Sequence, residues 1–264
     1  MNFTVFGGTG FIGRHLVEHL KSLGHQVKVP ARGAILNKED CLGHVIYAVG
    51  MTGNFRGQPF ETINSHVSFL SLLLQHHQYQ SFLYLSSTRI YFDLGVDKPA
   101  TELMSVPLNS SPDALYDLSK MLGESLCLSM TNSKVRIARL SNVFGKGQSS
   151  HTFLGSIIAS IKSENYVEIN EAPESCKDYV WIEDVVPVLV DIALRGTHQI
   201  YNVASGQCTT HADIAHKLAE LWRCTITFKS SAVARVFPKI DISRVTSEFG
   251  FKPEQLLGRL QFLD

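Results

Sequence analysis

Tyr116-Asp117-Leu118-Ser119-Lys120 is the one Y-x-x-x-K spacing among the chain's eight tyrosines. On a helix that spacing sets a phenol and an ammonium one turn apart on the same face. The chemistry that needs such a pair is proton transfer on an oxygen while a hydride moves on the carbon that bears it. A free tyrosine titrates at about pH 10. A neighbouring ammonium and an oxidised nicotinamide stabilise the phenolate and bring Tyr116 into acid–base range. Lys120 is also the candidate to bond the nicotinamide ribose. Ser86-Ser87-Thr88 follows the apolar run at 82–85. Ser87 is the candidate to hold a substrate oxygen in line with the phenol and to stabilise charge developing there.

A hydride donor needs a cradle, and the N-terminus supplies the pattern of one. Gly7-Gly8-Thr9-Gly10-Phe11-Ile12-Gly13 contains both G-x-x-G-x-x-G and G-x-G-x-x-G. Glycines let the chain turn sharply and bring backbone N–H groups to a pyrophosphate with no Cβ in the way. The helix that follows points the positive end of its dipole at that anion. Gly7, Gly10, Phe11, Ile12 and Gly13 are therefore the expected dinucleotide contacts. An NAD site ends its second strand in an acid that bonds the adenosine ribose. Here the neighbourhood reads Val29-Pro30-Ala31-Arg32-Gly33, so Arg32 is expected to pair with a 2′-phosphate, with Arg14 assisting. The cofactor expected is NADP, with NAD as the alternative.

The elements that must position these residues read as alternating strands and helices. Strands are predicted at 3–6, 27–29, 45–49, 82–85 and 135–140. Helices are predicted at 11–23, 63–76 and 113–130. That alternation implies parallel βαβ units and an α/β fold with a doubly wound, Rossmann-type sheet. The rest keeps the alternation more loosely: a helix at 152–162, strands at 166–169 and 199–203, and a capping box Thr210-His211-Ala212-Asp213 opening a helix that ends near Arg223. We expect residues 1–145 with 178–203 to form the dinucleotide-binding unit. Residues 146–177 with 204–264 would form a smaller C-terminal substrate lobe.

Composition narrows the class. Of 264 residues 44% are apolar and 18% charged, which is globular. Lys plus Arg equals Asp plus Glu at 24 each, which argues against a nucleic-acid binder. No run approaches the length of a membrane span, and the first residues lack the pattern of a secretory signal. The expectation is a cytoplasmic protein with neither membrane nor nucleic-acid partners. Five cysteines without a C-x-x-C pair argue against a disulfide scaffold and a zinc ribbon. Eleven histidines include no H-E-x-x-H and a single adjacent pair, His76-His77, so no metal site is expected.

With these motifs in hand, the chain resembles the extended short-chain dehydrogenase/reductase family, in its sugar-nucleotide epimerase/dehydratase branch. The glycine loop, the Tyr116/Lys120 pair and Ser86-Ser87-Thr88-Arg89-Ile90-Tyr91 carry the resemblance. Arg139-Leu140-Ser141-Asn142-Val143-Phe144-Gly145 is similar to the family's R-x-x-N-x-Y-G, and the segment from Lys177 to Asp184 to its R-D-F-V-x-V-x-D. The resemblance implies that Ser87 is the catalytic hydroxyl, and that Asn142 contacts the substrate diphosphate. It extends substrate contact to Thr88 and Lys177.

Departures matter as well. Thr88 and Arg89 replace the Asp-Glu with which 4,6-dehydratases eliminate water, and Lys177 replaces an arginine. Little chain is left between Arg32 and His44 for the customary third strand. The first expectation is therefore an NADP-dependent oxidoreductase that reduces a keto group of a nucleotide-diphosphate sugar. The alternatives are a sugar-nucleotide 4-epimerase with tightly bound NAD and a non-catalytic NADP-binding regulator. The resemblance also implies a homodimer formed through the leucine-rich helix at 63–76 and the tyrosine helix.

Overall fold

A computed structural model describes residues 1–263 apart from 38, 39, 52, 108, 132 and 133. The first half runs β1 (Asn2–Phe6), α1 (Phe11–Ser22), β2 (Gln26–Lys28), β3 (His44–Tyr47), α2 (Pro59–Ile63), a π turn (Asn64–Ser68), α3 (Phe69–His76), β4 (Ser81–Ser87), α4 (Leu115–Leu128) and β5 (Val135–Leu140). It continues through β6 (Asn142–Phe144), α5 (Phe153–Glu164), β7 (Tyr166–Glu171), β8 (Cys176–Trp181), α6 (Ile182–Arg195) and β9 (Ile200–Val203). Last come β10 (Cys208–Thr210), α7 (His211–Trp222), β11 (Thr225–Val233), α8 (Ser243–Phe249) and α9 (Leu256–Arg259).

Among the described residues the main sheet has six parallel strands in the order β2-β1-β3-β4-β5-β9. Strand β4 is buried along nearly its whole length, as a strand covered on both faces must be. One face packs on Leu16 and Leu20 of α1 and on Val185, Leu189 and Ile192 of α6. The other packs on Leu70, Leu73 and Leu74 of α3 and Cys127 of α4. The chain order reverses direction between β1 and β3, so a crevice opens where both strands end. No strand lies between β2 and β3 among the described residues, in line with the short chain there.

A second core lies outside this sheet. Leu154, Ile157 and Ile161 of α5, Tyr179 and Trp181 of β8, and Ile214 and Leu218 of α7 pack together. Two small sheets border it, β10-β8-β6 and β11-β7. Thr210 caps α7 as its box predicts: its Oγ1 accepts from the Asp213 N–H at 3.0 Å. The cysteine expectation needs correction, because Cys176 and Cys208 form a disulfide between the neighbouring strands β8 and β10. Spacing could not reveal this pair, since strand pairing rather than a motif brings the two together. Cys41, Cys127 and Cys224 are free. No helix among the described residues is long and apolar enough to cross a membrane.

Candidate active site

The glycine loop occupies the end of β1, at the crevice. Gly7 adopts φ +76°, and a Cβ there would lie 2.5 Å from the Ala48 carbonyl oxygen at the end of β3. A Cβ on Gly13 would collide with the Gly7 backbone. The Gly10 N–H bonds the Gly7 carbonyl at 2.9 Å, which closes the turn. Helix α1 then starts with no side-chain cap and no acid in its first turn. Its leading N–H groups thus have neither a capping side chain nor a first-turn carboxylate beside them. A cradle that a Cβ would fill, followed by an uncapped helix, fits a dinucleotide pyrophosphate.

Arg32 is exposed and ion-pairs with Glu61 of α2. Arg14 does not join it. The Arg14 guanidinium lies over the Phe11 ring and bonds the Gly147 carbonyl, so it is engaged with the loop after β6. The expectation that Arg14 assists Arg32 therefore fails.

Ser87, Tyr116 and Lys120 do come together, at the end of β4 and on the first turns of α4. The Ser87 hydroxyl accepts the Arg89 N–H at 3.2 Å and is near enough to the Tyr116 phenol to hold its pKa down. Tyr116 is buried, and burial raises its pKa above the ordinary value, opposed by the Ser87 hydrogen bond and the Arg89 charge. Lys120 is buried too, and its Nζ donates to the Leu85 carbonyl at 2.9 Å. Burial pulls its pKa down to about 7, with the Glu124 charge opposing.

Thr88, between Ser87 and Arg89, is buried. Asn142 and Lys177 lie on the neighbouring strands β6 and β8 of the smaller sheet, Lys177 two residues before the Tyr179 that faces Asn142. Asn142 is exposed, pairs in register with Tyr179, and donates its amide to the Asp178 carbonyl at 2.8 Å. Lys177 is buried over the Phe153 ring, with its Nζ 2.9 Å from Glu171. Burial lowers its pKa, and the charges of Arg235 and Arg89 press in the same direction.

A family model described as NAD dependent epimerase/dehydratase family matches residues 3–204. The chain belongs to that family. UDP-glucuronic acid decarboxylase 1 of Xenopus tropicalis is 23% identical over 250 residues, which cover 82% of this chain and 59% of that protein. The chain thus spans about three-fifths of the relative's length. Among solved structures, MoeE5 with UDP-glucuronic acid and NAD superimposes at a TM-score of 0.83 with 22% identity, covering 100% of this chain and 97% of that one. MoeE5 with UDP-glucose and NAD gives the same score. RMD from Pseudomonas aeruginosa complexed with NADPH gives 0.79 with 24% identity, covering 99% and 96%. At these identities the likeness establishes the α/β fold with its parallel, Rossmann-type sheet.

Two groups of residues escaped the sequence reading. His66 is fully buried in the π turn that interrupts the helical run between α2 and α3. Its Nε2 accepts the Met51 N–H at 3.1 Å. The ring proton therefore resides on Nδ1, which donates to Ser119 Oγ at 2.7 Å. Ser119 in turn donates to the Tyr116 carbonyl at 2.8 Å. Burial, with the Lys120 charge adding to it, pushes the His66 pKa down to about 2. A Cβ placed on Gly50 would lie 3.3 Å from His66 Nε2 and 3.4 Å from Lys120 Nζ. The bare backbone of Gly50 thus leaves room beside the Lys120 ammonium. A π turn has no sequence signature, and a histidine in a leucine-rich helix reads as core.

The second group is a buried ion pair. Arg139 of β5 grips Glu124 of α4 with Nε and Nη2, at 2.6 Å for the shortest contact. Ser86 also donates to Glu124, while Arg139 Nη1 donates to the Tyr91 hydroxyl at 2.6 Å. The R-x-x-N spacing marked Arg139, but nothing in the sequence named its partner.

Proposed function

We propose that this protein is an NADP-dependent oxidoreductase that reduces a keto group on a nucleotide-diphosphate sugar, the uridine series first. The observation that carries the reading is the convergence of Ser87, Tyr116 and Lys120 at the sheet edge where the glycine loop opens. Gly7, Gly10, Phe11, Ile12 and Gly13 hold the pyrophosphate with backbone N–H groups, and Arg32 takes the 2′-phosphate by leaving Glu61. When bound, the nicotinamide supplies the hydride. Tyr116 donates the proton to the carbonyl oxygen of the sugar, and Ser87 donates a hydrogen bond to the same oxygen and holds it in line. Lys120 stabilises the phenolate left behind and bonds the nicotinamide ribose.

Burial raises the Tyr116 pKa, so the phenol stands protonated and able to donate to the carbonyl oxygen. Asn142 and Lys177 hold the diphosphate beside Arg235. The Arg235 backbone pairs with Cys176, and its charge is felt at Lys177. Thr88 lines the sugar side. In this reading residues 1–145 with 178–203 bind the coenzyme, and 146–177 with 204–264 the substrate. Two copies pair through α3 and α4, which leave Leu72 and Leu122 about half exposed on their outer faces.

The test is NADPH oxidation followed at 340 nm with a panel of nucleotide keto-sugars. Turnover that falls about 100- to 10,000-fold in Tyr116→Phe supports the assignment, and unchanged turnover removes it. A second reading, the 4-epimerase, has one observation in its favour: the Glu61 carboxylate at Arg32 offers an acid near the end of β2. It requires NAD that copurifies with the protein.

A further inference from the structure

We propose that Arg89 is the receptor for a carboxylate carried by the sugar itself, so that the substrate is a nucleotide-linked uronic acid or its keto derivative. The proposal rests on the nucleotide-sugar reading above. Arg89 lies two residues beyond Ser87, and its guanidinium carbon is 5.5 Å from the Tyr116 ring centroid and 5.2 Å from that of Phe55. Its Nε donates to both oxygens of Asp117, at 3.1 and 3.2 Å. Asp117 is the residue after Tyr116, so this clasp fixes the guanidinium to the catalytic helix.

The clasp uses one edge of the group. Among the described residues Nη1 and Nη2 have no hydrogen-bond acceptor, and the side chain is one-third exposed, at 33%. Those two nitrogens form the end-on edge that binds a carboxylate with two parallel hydrogen bonds. A flat guanidinium held against two aromatic rings has already lost most of its freedom, which lowers the entropic cost of binding.

Position decides which part of the ligand carries the anion. Tyr116 must touch an oxygen on the reacting sugar carbon, and Arg89 sits within about one sugar-ring width of that phenol. The diphosphate has cations of its own in Lys177 and Arg235. An anion at Arg89 therefore belongs to the sugar, and the anionic group that a hexose ring carries without phosphorylation is a carboxylate. Glu171 pairs with Lys177, Asp113 with Arg56 and Asp117 with Arg89. Arg235 has no carboxylate ion pair among the described residues, so its charge stays available to a second anionic group of the ligand.

The test is calorimetric titration of the full chain, with NADP⁺ present, by UDP, UDP-glucose and UDP-glucuronic acid. UDP-glucuronic acid should bind about 10- to 100-fold tighter than UDP-glucose, the range expected of hydrogen bonds between charged groups. The ratio should fall to about one in Arg89→Met and stay intermediate in Arg89→Lys. Because the readout is a ratio between two ligands on the same variant, a general loss of affinity does not mimic it. Equal binding of the two sugars by the unsubstituted protein, or a preference that survives Arg89→Met, overturns the carboxylate receptor and leaves the nucleotide-sugar reading standing. Failure of all three ligands to bind overturns the uridine nucleotide-sugar reading and this inference with it.

Discussion

The β1–α1 turn and the tyrosine helix meet at one crevice but are built on opposite principles. The turn works by leaving side chains out: Gly7 and Gly13 admit close backbone contacts, and an uncapped helix presents bare N–H groups. The tyrosine helix works by putting side chains in. Glu124 on Arg139 fixes its middle, and His66 on Ser119 fixes the turn that carries Tyr116 and Lys120. A site made of absences is local in sequence, whereas a site made of buried polar contacts is assembled from segments far apart. The two should therefore fail differently when broken.

The largest effect is expected at the ion pair. Glu124 and Arg139 are 5% and 7% exposed, so removing one partner strands a buried charge. Arg139→Met should cost about 3–5 kcal/mol of folding stability, and adding Glu124→Leu should recover part of it. Denaturant melts of the single and double variants measure this. Molecules still folded should bind NADPH nearly as before, because the pair does not touch the turn. A double variant no more stable than the single one would mean that Glu124 is not the stranded charge.

The turn should show the converse. Gly13→Ala forces a Cβ into the Gly7 backbone, at a cost of about 1–3 kcal/mol. The loss of NADPH affinity, read by fluorescence titration, should exceed the loss of stability, because the displaced atoms are the ones proposed above to face the pyrophosphate. If affinity is unchanged, the dinucleotide does not bind at this turn.

The same contrast explains what the sequence disclosed. The turn, the Y-x-x-x-K spacing and the main strands were legible because each is a run of neighbours with its own periodicity. The strand read at 45–49 ends at Tyr47, where the chain bends away toward Gly50. The helix read from 63 begins at Pro59 and passes through the π turn. Strand β11 buries no residue fully, and the polar stretch Lys229-Ser230-Ser231 cuts short the alternation that Ile226 and Phe228 begin against the second core. The Cys176–Cys208 bond, the Glu124–Arg139 pair and the His66 chain all join residues that only the fold makes adjacent. The burial that shifts Lys120 and Tyr116 belongs to the fold as well.

His66 gives the helix a pH signature that the turn lacks. Its folded pKa of about 2 lies below the unfolded value of 6.5. Between these values the unfolded chain takes up a proton that the folded chain refuses, so stability is full above pH 6.5 and falls as the pH drops toward 2. His211, stacked on Phe153 and lowered to about 4, acts in the same direction. Melting temperatures between pH 4 and 7 should fall with acid, and His66→Asn should flatten that fall. An unaltered slope would show that His66 is not held neutral by the fold.

The smallest effect separates the two coenzyme readings at the outer edge of the turn. Arg32 spends its charge on Glu61, and both side chains are exposed, at 81% and 43%. An exposed pair of this kind contributes at most about 1 kcal/mol, so a 2′-phosphate can displace the carboxylate at modest cost. Glu61→Gln should therefore tighten NADPH binding by about two- to fivefold, within that bound, while leaving NADH binding unchanged. If Glu61 instead bonds the adenosine ribose, the same substitution weakens NADH and leaves NADPH as it was. The two outcomes have opposite signs, so even a small change in the NADPH-to-NADH affinity ratio decides between Arg32 as a phosphate receptor and Glu61 as the missing ribose acid.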